Sequence, residues 1–163
     1  MIIVSNTGPL IGLAKINQIG LLRQLASRVC IPPQVHRELL AKSGPEATAI
    51  DEALNEFIRI KIPGATDSTA TDILKGLDEG ERQAIMLARS FPSPVLLLLD
   101  DRAGRTAARK LNQPLTGLPG LLLMAREVGL IKEVLPMIED VRAKGYWLSD
   151  AVVHAVKVAA AKR

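Results

Sequence analysis

Apolar runs and polar breaks alternate along this chain with a rhythm that predicts strands separated by helices. Ile2, Ile3 and Val4 form a short apolar run that ends at Ser5-Asn6-Thr7-Gly8-Pro9. Gly and Pro break a strand there, and Ser, Asn or Thr can cap the helix that follows. Leu10–Ile16 and Ile19–Leu25 read as short helices, and Arg28–Ile31 as a second strand closed by Pro32-Pro33. Proline fits the first turn of a helix, so Val35, Leu39 and Leu40 predict one running through Glu38. After a stop at Ser43-Gly44-Pro45 comes an amphipathic segment carrying Ala49, Ala53 and Leu54. Residues 57–62 alternate apolar and basic, as a half-exposed strand should. Residues 64–75, rich in Thr, Asp, Ser and Ala, read as a loop.

The second half repeats the pattern. Leu77-Asp78-Glu79-Gly80-Glu81 opens a helix with Ala84, Ile85 and Ala88 inward, ended by Phe91-Pro92-Ser93-Pro94. Five apolar residues, Val95 to Leu99, then run straight into Asp100 and Asp101. Such a run predicts a strand buried on both faces, the mark of a parallel sheet between helices. Parallel sheets bind ligands at the carboxyl ends of their strands, and here that end carries two acids. Arg102, Arg105 and Arg109 follow at helical spacing. Residues 113–117 hold a brief edge strand, and 119–128 a strongly apolar helix. Leu130, Ile131, Val134, Leu135, Ile138 and Val141 form one helical stripe despite Pro136. Ser149 caps a last helix, with Leu148 and Val153 spaced as a hydrophobic staple. The expected fold is α/β: a three-layer α/β/α domain with a central, mostly parallel sheet, occupying residues 1–163 as a single unit.

Composition narrows the chemistry. Of 163 residues 48% are apolar but only 2% aromatic, so the core is aliphatic. Phe57, Phe91, Tyr146 and Trp147 are the whole aromatic supply, which argues against a module that binds single strands by repeated stacking. A formal charge of +4 suits a polyanionic partner. One cysteine, Cys30, excludes an internal disulfide and cysteine-based zinc sites. The distant His36 and His154 argue against a histidine-rich metal site. The N-terminus lacks the features of a signal peptide, and nothing approaches a membrane span, so an intracellular, cytoplasmic protein is expected. The glycine-rich loops of nucleotide-binding folds are absent from the sequence.

The polar residues that can meet are few. Asn6 ends one apolar strand and Asp100-Asp101 another; if these strands are parallel neighbours, the side chains converge at one rim. Glu38 and Glu81 lie in helices beside core residues. Thr116-Gly117 can supply a hydroxyl or backbone groups from a third strand end. This is an oxygen-only set, which suits Mg²⁺ or Mn²⁺. Acidic metal sites in a basic protein are what phosphodiester hydrolysis requires: the metal activates water and stabilises charge on the phosphate. Each member also has a structural reading. Asp78 and Glu81 fit a capping box, Glu38 fits a solvated helix face, and Asn6 fits turn chemistry. One of the two aspartates can cap the next helix, but a second acid beside it lacks such a purpose. The arginines fit a solvated face or, for Arg102 and Arg105, phosphate contact.

Several motifs together resemble PIN-domain proteins, and more narrowly a prokaryotic branch related to VapC-type toxin nucleases. They are Ile3-Val4-Ser5-Asn6-Thr7-Gly8-Pro9-Leu10-Ile11, residues 33–39 around Glu38, residues 77–85 around Glu81, Leu98 to Arg105, and Gly145-Tyr146-Trp147-Leu148-Ser149. The resemblance spans nearly the whole chain. It implies a PIN fold and Mg²⁺- or Mn²⁺-dependent cleavage of RNA, frequently by a homodimer, with an antitoxin peptide blocking the site in toxin members. Carried over by position, the family's acids fall on Asn6, Glu38, Glu81 and Asp101, with Asp100 the less favoured occupant of the last. Asn6 departs from the Asp that PIN nucleases generally present there.

The leading expectation is therefore a metal-dependent ribonuclease. Glu38, Glu81 and Asp101 hold the metal with help from Asn6 and Asp100, and Arg102, Arg105 and Thr116 face the substrate. Asn6 motivates a second expectation, a catalytically weak PIN-like module that regulates by binding RNA or protein. A phosphoacceptor receiver domain is disfavoured, because its paired acids would follow the first strand. The apolar C-terminal helices suggest a homodimer.

Overall fold

The computed structural model describes residues 1–162; residue 163 of the expected unit lies outside them. The elements in chain order are β1 (Ile2–Ser5), α1 (Thr7–Lys15), α2 (Leu21–Leu25), β2 (Arg28–Ile31), α3 (Pro33–Leu40), α4 (Ala47–Glu56) and β3 (Ile58–Ile60). Then follow α5 (Ser68–Leu74), α6 (Glu79–Ser90), β4 (Val95–Leu98), α7 (Arg102–Lys110), β5 (Leu115–Thr116), α8 (Leu118–Glu127), α9 (Leu135–Ala143) and α10 (Asp150–Ala161). The strands form one parallel sheet in the order β3-β2-β1-β4-β5. This is the expected three-layer α/β/α architecture.

Alternation of side chains along each strand sends the sheet's residues into two separate cores. In register, Ile3 lies between Val29 and Leu96, while Val4 lies between Cys30 and Leu97. Ile3, Val29, Ile31 and Leu98 pack with apolar residues of α1, α2, α3, α4, α8, α9 and α10. Ile2, Val4, Cys30, Val95, Leu97 and Leu99 pack with those of α5, α6 and α7. Both layers are aliphatic, as the composition requires. β1 and β4 sit centrally, so every residue of Ile2–Ser5 is buried. Their carboxyl ends open on the same rim.

Two expectations change. Residues 64–75 are not a continuous loop: α5 occupies 68–74, with Asp67 capping it by accepting from Ala70 N at 2.7 Å. Ala70 and Leu74, four apart, form its buried face. The stripe from Leu130 to Val141 is not one helix either. α9 begins at Leu135 with Pro136 in its first turn, where the missing N–H costs nothing. Val134 is buried just outside that helix. The two-residue β5 is the brief edge strand expected at 113–117. On the opposite edge, Ile60 and Ile62 of the alternating segment are exposed rather than inward. Among the described residues, no helix is long and apolar enough to cross a membrane.

Candidate active site

The rim is built from short turns that convert strand ends into helix starts. β1 runs into Asn6, the N-cap residue of α1, whose backbone N–H bonds Leu98 O of β4 at 3.0 Å. That bond fixes Asn6 beside the end of β4. Its carboxamide makes no capping bond to the helix. The next residue, Thr7, donates its hydroxyl to Glu38 Oε2 at 3.0 Å, tying the start of α1 to α3.

Glu38 points at the first turn of α6. A Cβ on Gly80 would lie 2.6 Å from Glu38 Oε1 and 2.9 Å from Oε2, so the carboxylate occupies the space that this glycine leaves. Gln34 N, donating to Gln83 Oε1 at 3.0 Å, ties the same two helices a turn away. Beside Gly80 stands Glu81, 8% exposed. Its backbone N–H donates to Asp78 Oδ1 at 2.9 Å, the capping half of the Asp78–Glu81 pair. Its carboxyl pKa is pushed up to about 8, first by burial and then by the carboxylates of Asp78 and Asp101. No basic group offsets that rise.

The two aspartates after β4 go separate ways. Asp101 is exposed and caps α7, Oδ2 accepting from Gly104 N at 2.8 Å, while it also faces Glu81. Asp100 turns the other way. Its Oδ1 accepts from Leu118 N at 3.0 Å, at the start of α8, and its Oδ2 accepts from the Tyr146 hydroxyl. Burial raises its pKa, while Tyr146, Leu118 N–H and Arg105 push it back. Tyr146 is held firmly un-ionised by burial and by Asp100. A Cβ on Gly117 would overlap Asp100 Oδ1 and fall 3.2 Å from an Arg105 nitrogen.

The sequence-derived candidates therefore divide. Glu81 faces Asp78 and Asp101, Glu38 stands over Gly80 at the start of the same helix, and Asn6 ends the neighbouring strand. Asp100 forms a second cluster with Tyr146, Leu118 N and Arg105. The sequence favoured Asp101 as ligand and Asp100 as cap or tuner; in the structure Asp101 is the helix cap and Asp100 a half-buried acid held by donors. Arg105 donates from Nη1 to Leu99 O at 2.9 Å and is half-buried, so it braces the strand end. Arg102 is exposed. The Thr116 hydroxyl lies against Gly120 of α8 and reaches Gly117 O at 3.5 Å. Tyr146 and Thr7 are the participants that spacing did not reveal. The Gly145-Tyr146-Trp147 motif was the available signal for the first.

The donor chemistry fits a hard divalent cation: oxygen ligands, and a buried carboxyl crowded by two others. Among the described residues, however, no three acidic, His or Cys side chains stand where they hold one ion together. Glu81 lies against Asp78 and Asp101, and Glu38 stands over Gly80. A cavity of about 750 Å³ lies elsewhere, between α8 and α10, with Arg126 and Lys132 in its wall.

A parallel α/β/α protein with carboxylates gathered at the ends of its central strands has the architecture of a nuclease-type fold. Residues 2–162 match a family described as DUF3368, a PIN domain, and the chain belongs to it. PIN domains are generally nucleases that use divalent metal ions. No curated protein matches the chain.

Proposed function

We propose that this protein is a metal-dependent ribonuclease hydrolysing RNA phosphodiester bonds. One observation carries the reading: Glu81 is buried against Asp78 and Asp101 with no cationic side chain to offset the charge. A buried acid without compensation costs several kcal/mol, by order of magnitude, unless it is protonated or meets a cation. Glu81 and Asp101 would anchor Mg²⁺ or Mn²⁺, with Glu38 and the Asn6 carboxamide oxygen joining from the adjoining elements. When bound, the ion supplies an activated water and charge stabilisation at the phosphate.

The chain's own residues do the rest. Thr7 holds one Glu38 oxygen and leaves the other for ligation or for orienting a water. Asp101 keeps Oδ1 outside its cap and so serves the helix and the site together. Arg102, exposed in the first turn of α7, would meet a substrate phosphate. Asp100, with Tyr146 and Leu118 N–H, keeps the rim rigid. Purified protein with Mn²⁺ is expected to cut RNA, and Asp101→Ala or chelation to stop it. Cleavage that survives both would refute the assignment.

The second reading is a catalytically weak PIN-like module that regulates by binding RNA or protein. It is favoured by Asn6, which removes one negative charge, and by the spread of the acids over the rim. Calorimetric titration with Mn²⁺ separates the two, since no binding in the millimolar range would exclude the nuclease. In the nuclease reading Asn6→Asp tightens metal binding severalfold, because charge interactions are strong in a partly desolvated site. Unchanged affinity would put Asn6 outside it. The biological setting we infer is a cytoplasmic toxin–antitoxin pair, with an antitoxin protein covering the rim. A short neighbouring reading frame that co-purifies with the chain would support it. For a homodimer, the apolar faces of α8 and α9 are already used in the chain's own core, which leaves Val152 and Val158 of α10 as exposed apolar surface.

A further inference from the structure

The chain has four aromatic side chains, and three of them are engaged. Phe57 lies under the Arg23 guanidinium at 4.8 Å and Phe91 under that of Arg28 at 5.5 Å. Tyr146 donates to Asp100 and sets its ring against Gly12 of α1, where an added Cβ would fall 2.9 Å from the ring. Trp147 is the fourth, and it is 82% exposed. Its location separates it from an ordinary surface aromatic. The residue before it is bonded to an acid of the rim, and the residue after it, Leu148, is buried in the core. Ser149 then caps α10 by accepting from Val152 N at 3.1 Å. Gly145, at φ +94°, turns the chain into this segment. The Trp147 backbone is thus held on both sides while its indole stands in water, so the side-chain torsions are what remains to be ordered on binding.

We propose that Trp147 is a stacking platform for one unpaired base of single-stranded RNA, beside the acidic rim. The inference rests on the ribonuclease reading for the identity of the substrate. An indole face accepts any base, and in a protein of net charge +4 the phosphates on either side are attracted. One platform is enough to position a single nucleotide. It would let a chain so poor in aromatics select unpaired over paired RNA, because a base inside a duplex is already stacked.

Trp147 is the chain's single tryptophan, so its emission reports this contact alone. Metal-free protein in chelator is titrated with a short single-stranded RNA and with an abasic strand of equal length and charge. The first should quench the emission saturably; the second should not, and should bind about tenfold more weakly. In filter binding, Trp147→Ala should weaken the intact strand about tenfold, Trp147→Phe should keep most of the affinity, and both should keep the thermal midpoint. Equal quenching by the abasic strand overturns the proposal. So does wild-type affinity in Trp147→Ala, or emission that responds to protein dilution and not to RNA, which would mean a second copy covers the indole. Cleavage with Mn²⁺ is scored separately. Cleavage with an unaltered KM in Trp147→Ala removes the platform and leaves the nuclease, whereas base-dependent quenching without cleavage removes the nuclease and leaves the platform.

Discussion

Asp100 and Asp101 are neighbours in the chain and opposites in the structure. Asp100 is surrounded by donors: a backbone N–H from α8, the Tyr146 hydroxyl and the nearby Arg105. Across the rim, Asp101 faces Glu81, a buried carboxyl whose neighbours are other carboxyls. Burying an acid is unfavourable in both places. On the Asp100 side the protein supplies the compensation itself, and the result is a brace between β4, α8 and the α9–α10 connection. On the Glu81 side it supplies none, and the proposed metal site rests on that uncompensated carboxyl. Two acids of the same type, one peptide bond apart, thus meet opposite surroundings, donors around Asp100 and another acid beside Asp101.

The sharpest way to break this comparison is to neutralise one acid on each side. Glu81→Gln should abolish metal-dependent cleavage while the fold survives, because it replaces a buried carboxyl that has no ion-pair partner with a neutral group of the same size. Asp100→Asn should destabilise the protein and retain Mn²⁺ binding. Titration calorimetry and thermal melts on both variants check this, and loss of metal binding in Asp100→Asn would erase the distinction. The two glycines make a finer test. Gly117→Ala forces a methyl group into Asp100, which is fixed by its donors, and should cost about 1–3 kcal/mol in chemical denaturation. Gly80→Ala meets only the movable end of Glu38, so the stability should hold while metal affinity falls. Tyr146→Phe, which strips Asp100 of one donor, should cost roughly 1–3 kcal/mol.

A further test is in pH. Glu81 carries a pKa raised from the ordinary 4.5 to about 8, so the folded protein holds a proton that the unfolded chain releases. A raised folded pKa means stability present at low pH is lost as pH climbs between those values. The metal-free thermal midpoint should therefore fall from about pH 4.5 towards about 8. Glu81→Gln should flatten that slope, and Mn²⁺ at the alkaline end should restore the midpoint. A slope unchanged in Glu81→Gln would assign the titration to another group.

Much of this was readable from the residues. The apolar runs of β1, β2 and β4, each cut by Gly, Pro or Asp, indicated a parallel sheet, and the acids at their ends indicated the rim. α5 was hidden because Ala70 and Leu74 are a thin apolar face among Thr and Ser; the Asp67 cap was its clearest signal. Pro136 misled because one residue type can open a helix or break it, and only the start of α9 decides between them. The division between Asp100 and Asp101 was not readable. It depends on Tyr146, 46 residues further on, just as the Glu38 carboxylate depends on Thr7, 31 residues earlier. Periodicity records which face of an element is buried, not which distant hydroxyl arrives there.

The placement of β1 at the centre of the sheet has a consequence in time. This first strand pairs with β2 soon after it in the chain, but its other partner, β4, is far downstream. A ribosome making the protein releases β1 and β2 early, while the β1 edge that awaits Val95–Leu98 stays open. The rim closes in stages: Glu38 first, Glu81 and Asp101 later, and the Tyr146 brace last. Long-range parallel pairing of this kind is slow to form. A nascent chain therefore lacks a complete rim until Tyr146 has emerged, and the cutting activity proposed for it would not begin before then.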